Sequence, residues 1–232
     1  MKKTITRALF GLTAAFAIAS SAQAIPFSIT NLSFTPGTGY GSVPLRDGSD
    51  NPDLLNATFS AGTEPATFDL NAKGDFKRFT FGTVTLNDPC IDAHDTGKTY
   101  FCNVKGDETD NLGVTASFSF TSPFTGTRLV TATGVAVPGP VKDNTGNGAD
   151  TQVTDLTIDF TPVTFTFGNG GRFSIDLSDL IFTRDQTLTT LATITLVEVP
   201  SAPPTAVPEP ASLSLIGLGL LGAGLARRRK SL

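Results

Sequence analysis

The residues best suited to chemistry in this sequence are oxygen ligands gathered in short acidic loops. Asp143, Thr145 and Asn147 fall at positions one, three and five of a segment that has glycine at position six and continues to Asp150. This spacing is typical of the first half of a Ca²⁺-binding loop, in which oxygen atoms surround a hard cation. Position twelve is Thr154, so the bidentate glutamate is missing. Ca²⁺ binding is therefore a hypothesis here, beside the alternative that these residues simply form a turn.

The two cysteines, Cys90 and Cys102, have eleven residues between them. In an exported protein such a pair predicts a disulfide, and closing a loop of this size is worth about 3 kcal/mol on the chain-entropy model. The bond would close the polar loop between a strand ending at Leu86 and a strand starting at Leu112. A metal site built from these cysteines and His94 lacks both the further ligands and the spacing that zinc needs.

Groups for acid–base or nucleophilic catalysis are scarce. His94 is the only histidine, and the sequence contains neither a nucleophile-elbow motif nor a metalloprotease helix motif. We therefore expect no catalytic residues, no enzyme activity and no cofactor apart from the hypothesised Ca²⁺. A hydrolase that uses paired Asp residues stays open as the weakest alternative.

The body of the chain alternates apolar and polar residues with a period of two, which indicates strands with one face buried. Its 35 Thr, 18 Phe, 23 Gly and 15 Pro favour strands and turns over helices. We predict an all-β body over residues 25–199, folded as an antiparallel β-sandwich of jelly-roll-like or immunoglobulin-like type. The residues from Phe167 to Phe173 predict a hairpin, because Gly168, Asn169 and Gly170 between two alternating runs tolerate positive φ. The predicted strands are Phe27–Phe34, Asn56–Phe59, Thr67–Leu70, Phe76–Leu86, Leu112–Phe120, Thr127–Val137, Leu156–Phe160, Val163–Phe167, the second strand of this hairpin, which contains Phe173, and Leu188–Leu196.

Charge and aromatic content limit what the body can bind. Seven of the 17 basic residues lie in the two terminal segments, which leaves ten against 21 acidic ones. A body this acidic excludes nucleic acid as a partner. With no Trp and only Tyr40 and Tyr100, sugar binding by ring stacking is disfavoured, whereas Ca²⁺-mediated binding of a polysaccharide stays open. Repeated Thr-x-Thr segments place threonine on the wet face of strands, with no fixed period that would align them for ice binding.

The first 24 residues have the layout of a secretory signal peptide. Lys2, Lys3 and Arg7 precede an apolar run from Ala8 to Ala19, and a small-x-small cleavage site ends at Ala24. The apolar run is shorter than the ~20 residues that span a membrane. We expect a signal helix that is removed, so that the mature chain begins near Ile25 in an oxidising compartment.

The end of the chain is arranged as a linker, a short motif, an apolar segment and a basic cluster. A Pro-rich linker over residues 200–207 leads to Pro208, Glu209 and Pro210, and the apolar segment 211–226 follows. As a helix this segment would be about 24 Å long. Its basic end, Arg227, Arg228, Arg229 and Lys230, would stay on the cytoplasmic side, so we predict a transmembrane helix that holds the chain in the inner membrane.

This tail over residues 208–232 resembles the PEP-CTERM sorting signal, which some secreted ice-binding proteins also carry. The resemblance covers the motif Pro208-Glu209-Pro210, the Gly-rich apolar segment and Arg227, Arg228 and Arg229, and it does not extend to the body. It implies processing by an exosortase, a membrane-bound cysteine protease-transpeptidase of Gram-negative bacteria that make exopolysaccharide.

These expectations combine into one functional hypothesis with an alternative. We expect a structural protein without catalysis, exported through the inner membrane to the cell surface or the exopolysaccharide matrix of a biofilm. The alternative is a surface-displayed module that binds polysaccharide or Ca²⁺ through loops at one end of the sandwich. An acidic rim there, with Asp92, Asp95, Asp107 and Asp110 clustered together, would favour this alternative.

Overall fold

A computed structural model of the protein describes residues 24–41, 54–62, 66–92, 94–95, 100–101, 108–141 and 153–201. For residues 94–95 and 100–101 it describes the backbone alone. The predicted signal helix and transmembrane helix lie outside these residues. The described part is all-β, with every strand pairing antiparallel and no helix among the described residues.

The first large sheet, which we call sheet A, has six strands. They are β1 (Ile25–Pro36), β3 (Ala66–Leu70), β8 (Val114–Ser122), β9 (Gly126–Ala136), β11 (Leu156–Phe160) and β14 (Leu180–Phe182). Their order across the sheet is β14-β11-β9-β8-β1-β3. The centre of the sheet is formed by the hairpin β8–β9 and by β1, which pairs with β8 on one side and β3 on the other.

The second large sheet, sheet C, has five strands in the order β12-β13-β15-β4-β2. Its strands are β2 (Ala57–Ala61), β4 (Phe76–Leu86), β12 (Val163–Phe167), β13 (Gly171–Leu177) and β15 (Gln186–Glu198). Two further pairs are short, and consist of β5 (Cys90–Ile91) with β10 (Gly139–Pro140) and of β6 (His94–Asp95) with β7 (Tyr100–Phe101).

The inner faces of sheets A and C share one hydrophobic core. Phe27 and Phe120 of sheet A contact the ring of Phe173 in sheet C, with centroids 5.5 and 5.6 Å apart. The predicted alternation decides which side chains enter this core, because every apolar residue counted in the Leu112–Phe120 and Leu156–Phe160 segments is buried. The prediction of two packed antiparallel sheets thus agrees with the described residues.

Within the described ranges, all ten strands of five or more residues were predicted, several of them with the same bounds. The prediction missed the five short strands that the structure describes, β5, β6, β7, β10 and β14, which have two or three residues each. A period of two cannot be recognised in so few residues. With six and five strands in the large sheets, the body also has more strands than the four and three of an immunoglobulin constant domain or the eight of a jelly roll.

The pairing of β4 with β15 contains a bulge: Gly82 pairs with Thr190 and Thr80 with Leu191, so Phe81 is the extra residue on β4. Thr190 is fully buried, and its hydroxyl donates to the carbonyl oxygen of Ser178 at 2.8 Å. The Ser178 hydroxyl in turn accepts the Leu191 N–H at 2.9 Å. A side chain at Gly82, next to the bulge on β4, would collide with the Ser60 carbonyl oxygen and the Phe34 ring, so this position accommodates only glycine.

Candidate functional site

The point where the C-terminal segment leaves the body is fixed by contacts at the β12–β13 turn. The Ser201 N–H donates to the carbonyl oxygen of Asn169 at 2.9 Å. Next to this bond, Arg172 forms a half-exposed ion pair with Glu198 at 3.1 Å. A Cβ placed at Gly171 would approach the Pro200 ring at 3.0 Å, so glycine permits the close passage of the chain here. The chain therefore leaves the body at one defined end of sheet C.

The polar loop that contains Cys90 and Cys102, here called the cysteine loop, begins at the opposite end of sheet C. Because β4 and β15 are antiparallel, Leu86 pairs with Gln186 at the start of β15, while the C-terminal exit follows its other end. A strand of 13 residues separates the two ends by about 40 Å. Cys90 is fully buried there, and Cys102 lies outside the described residues, so the predicted disulfide stays a prediction.

The acidic side chains of this end bind the backbone. The two carboxylate oxygens of Asp88 accept the N–H groups of Asn56 at 2.9 Å and Cys90 at 3.1 Å. The Glu108 carboxylate accepts the N–H of Asp92, a residue with positive φ of 57°. Asp88, Asp92 and Glu108 are all buried. The carboxylates of Asp88 and Glu108 therefore hold the start of the cysteine loop in place.

Two carboxylates elsewhere in the body also accept backbone N–H groups. Asp75 accepts the N–H groups of Asn71 and Ala72 at 2.8 and 2.9 Å in the turn between β3 and β4. Asp179 accepts the Phe160 N–H at 2.9 Å and so joins the ends of β11 and β14. Asp75 and Asp179 thus stabilise a turn and a pair of strand ends.

The outer face of sheet C carries hydroxyl side chains in two rows that cross three strands. The register aligns one row from β2 through β4 to β15 and a second row two residues further along each strand. Within the first row, the hydroxyls of Thr85 and Thr187 lie 2.8 Å apart. The rows are Thr58–Thr85–Thr187 and Ser60–Thr83–Thr189.

The outer face of sheet A is built in the same way. Residues from β1, β8 and β9 form the rows Thr35–Thr115–Thr131 and Asn31–Ser119–Thr127. The Thr-x-Thr segments predicted that one face of these strands is solvent-exposed. Which hydroxyls of neighbouring strands lie side by side depends on the strand register, which cannot be read from one sequence. Both broad faces of the body therefore present hydroxyls to solvent.

Tyr40 is a described residue whose burial disfavours ionisation of its phenol. Its ring is buried against Phe59, at a centroid distance of 4.9 Å, and its hydroxyl donates to the Leu112 carbonyl oxygen at 2.9 Å. Burial raises the pKa of this phenol well above its ordinary value. Tyr40 is thus a core residue, and it offers no platform to a sugar.

The predicted Ca²⁺ ligands Asp143, Thr145, Asn147 and Asp150 lie outside the described residues, as do the sorting residues Pro208, Glu209, Pro210, Arg227, Arg228 and Arg229. Within the described ranges, no group of three or more His, Cys, Asp or Glu side chains is arranged to hold a metal ion. The side chain of Asp95 and the whole of Asp107 also lie outside those ranges, so the acidic rim that would favour the binding alternative is seen only at Asp92 and Asp110.

The described residues define a two-sheet antiparallel β protein with hydroxyl-rich outer faces and a C-terminal exit at one end. Comparison with protein families matches residues 206–230 to the PEP-CTERM protein-sorting motif, which confirms the resemblance of the tail. The motif indicates an exosortase-targeted protein that is exported, passes through the membrane in transit and reaches the surface. The body matches no family.

Neither the curated proteins nor the solved structures give a match to the chain. Among the residues that the structure describes, no helix is long and apolar enough to cross a membrane. The predicted anchor over residues 211–226 lies beyond them and stays a prediction.

Proposed function

We propose that this protein is a non-catalytic structural component of the cell surface or the exopolysaccharide matrix of a Gram-negative bacterium. The observation that carries the proposal is the sorting motif at residues 206–230, joined to an all-β body in which Asp88 and Asp179 accept backbone N–H groups. In this proposal the body is a folded scaffold whose apolar side chains fill one core shared by two sheets.

In this proposal the ends of the chain act in sequence. The signal peptide of residues 1–24 starts export, and removing it leaves Ile25 as the first residue. Ile25 opens β1 and pairs with Leu70, so the mature chain would begin directly with structure. The segment 211–226 and its basic end then stop transfer in the inner membrane. There the exosortase would recognise Pro208, Glu209 and Pro210 and cleave the tail.

Mass spectrometry of the mature protein tests this proposal. The chain would be expressed in a Gram-negative host that encodes an exosortase, and in the same strain with the exosortase gene deleted. We expect a mature N-terminus at Ile25 in both strains and loss of the basic end 227–230 only where the exosortase is present. Identical C-termini in the two strains would refute exosortase processing of this chain.

The matched variant for this experiment is Glu209→Gln, which keeps the size of the side chain and removes its charge. It should accumulate with its basic end intact, as the wild-type chain does in the deletion strain. A second variant without residues 227–230 should pass into the medium in larger amounts, because no positive charge would then retain the apolar segment. Unchanged retention of that variant would contradict the anchoring role of the basic cluster.

A second candidate function is binding of extracellular polysaccharide, which the hydroxyl rows on both outer faces favour. Rows of Thr and Ser supply donors and acceptors at the strand spacing of about 4.8 Å, and sugar hydroxyls can pair with them. A co-sedimentation assay with exopolysaccharide from the host would compare the unchanged chain with Thr85→Val, which removes one hydroxyl from the middle of a row. Equal binding by the two proteins, or no binding by either, would argue against this face as the site.

A further inference from the structure

Three of the four sheet edges have a strand of the opposite sheet beside them. β3 packs against β4, β14 against β15, and β2 against β1, where the rings of Phe34 and Phe59 lie 5.5 Å apart. The fourth edge is β12, which pairs with β13. In the described part of the chain β12 has no comparable second strand neighbour.

The sequence of β12 contains none of the features that usually protect an edge. An edge strand directs every second N–H and C=O outward, and natural proteins guard it with charge, proline, a bulge or extreme shortness. β3 carries the exposed charge of Asp69, and β14 has only three residues. β12 reads Val-Thr-Phe-Thr-Phe, with no charge or proline and with an unbroken register to β13.

The side chains of β12 still have surface to bury. Thr164 and Thr166 are exposed on the outer face, while Phe165 is half-buried on the inner face. The Phe165 ring lies 5.6 Å from that of Phe173, and the Arg128 guanidinium carbon lies 5.5 Å from its centroid. A strand added beside β12 would cover the remaining exposed part of this ring.

We propose that β12 pairs antiparallel with β12 of a second copy of this chain, centred on Phe165. The strand fits itself, because its pattern of apolar residue, Thr, Phe, Thr and apolar residue is the same in both directions. Thr164 then lies opposite Thr166 of the second copy, and the two Phe165 rings face each other. Thr–Thr and aromatic cross-strand pairs both stabilise antiparallel sheets. The pairing joins the two C sheets into one continuous sheet.

Cysteine cross-linking of the full chain tests the register as well as the contact. Thr164→Cys and Thr166→Cys chains, each exported and purified in a mild detergent, would be mixed in equal amounts and oxidised gently. Directly opposite positions have Cβ atoms about 4.5–5.5 Å apart, close to what a disulfide needs, whereas diagonal positions are about 7–8 Å apart. The mixture should therefore give a covalent dimer containing one chain of each kind, several times more abundant than the dimers of either variant alone.

Two controls separate pairing at β12 from cross-linking by random collision. Thr189→Cys places an exposed thiol on the central strand β15 and should give no dimer, and the unchanged chain measures any linkage through the native cysteines. Circular dichroism confirms that each exposed-threonine variant is folded. Absence of the mixed dimer overturns the proposal, and so does equal cross-linking in the Thr164→Cys chain alone, because that result would place Thr164 opposite itself.

Discussion

Phe173 is the residue on which the core should depend most. It is fully buried on β13, and its ring is surrounded by five others at centroid distances of 5.5–5.7 Å. Truncating a buried Phe to Ala costs about 3–5 kcal/mol. A domain of this kind has about 5–15 kcal/mol in total. With a urea m-value of about 2 kcal/mol per molar, Phe173→Ala should lower the unfolding midpoint by about 2 M. The surrounding rings are Phe27, Phe120, Phe124, Phe165 and Phe167.

The measurement is a urea titration followed by far-ultraviolet circular dichroism, with Phe76→Ala as the matched control. Phe76 is the same residue type at the start of β4 in the same sheet, but its side chain is 65% exposed. Its truncation should change the free energy of unfolding by no more than about 0.5 kcal/mol. Comparable midpoints for the two variants would show that the two sheets are not joined through Phe173, and the reasoning about the shared core would fail.

Three further predictions concern the loops and the perturbed phenol. Burial raises the pKa of the Tyr40 phenol in the folded state only, so the phenol's contribution to stability is complete below about pH 10, the unfolded-state pKa, and declines above it. Between about pH 9 and 11, urea titrations should therefore show a smaller loss of stability for Tyr40→Phe than for the unchanged chain. Equal losses in the two proteins would contradict this. Non-reducing peptide mapping should find Cys90 linked to Cys102, and reduction should cost about 3 kcal/mol; alkylation of two free thiols would disprove the bond. Isothermal titration should detect Ca²⁺ binding in the millimolar to submillimolar range, lost on Asp143→Asn; no heat from the unchanged chain would end the Ca²⁺ hypothesis.

The long strands were predictable because burial of one face imposes a local rule. Leu112–Phe120 shows this rule, since each second residue is apolar in the sequence and buried in the fold. The turn of Gly168–Gly170 was equally predictable, because glycine tolerates the positive φ that a hairpin turn needs. Gly168 and Gly170 both adopt positive φ in the structure. The short strand β14 was not predictable, because it depends on pairing with β11 far along the chain and has too few residues to show a period.

The candidate sites divide in the same way, into those set by local sequence and those set by contacts between distant segments. The sorting tail is a linear motif, so its residues could be identified without any knowledge of folding. The hydroxyl rows and the open edge at β12 depend on register and strand order, which arise from contacts between segments distant in sequence. Thr-x-Thr predicted only that the hydroxyls would face water. Which threonines lie side by side could be learned only from the pairing of β2, β4 and β15.

The direction of the proposed pairing limits how two anchored copies can be oriented. Centring on Phe165 places the two Asn169 residues four positions to either side, about 27 Å apart along the strands. Ser201 is held by Asn169, so the two C-terminal segments leave at opposite ends of the pair. From there, the nine residues 202–210 that precede the apolar segment reach at most about 30 Å when fully extended. Strands perpendicular to the membrane would hold one exit about 27 Å above the other and would stretch that linker almost to its limit. A pair anchored through both tails is therefore accommodated best with its strands along the membrane surface, and cleavage of the tails removes that restriction.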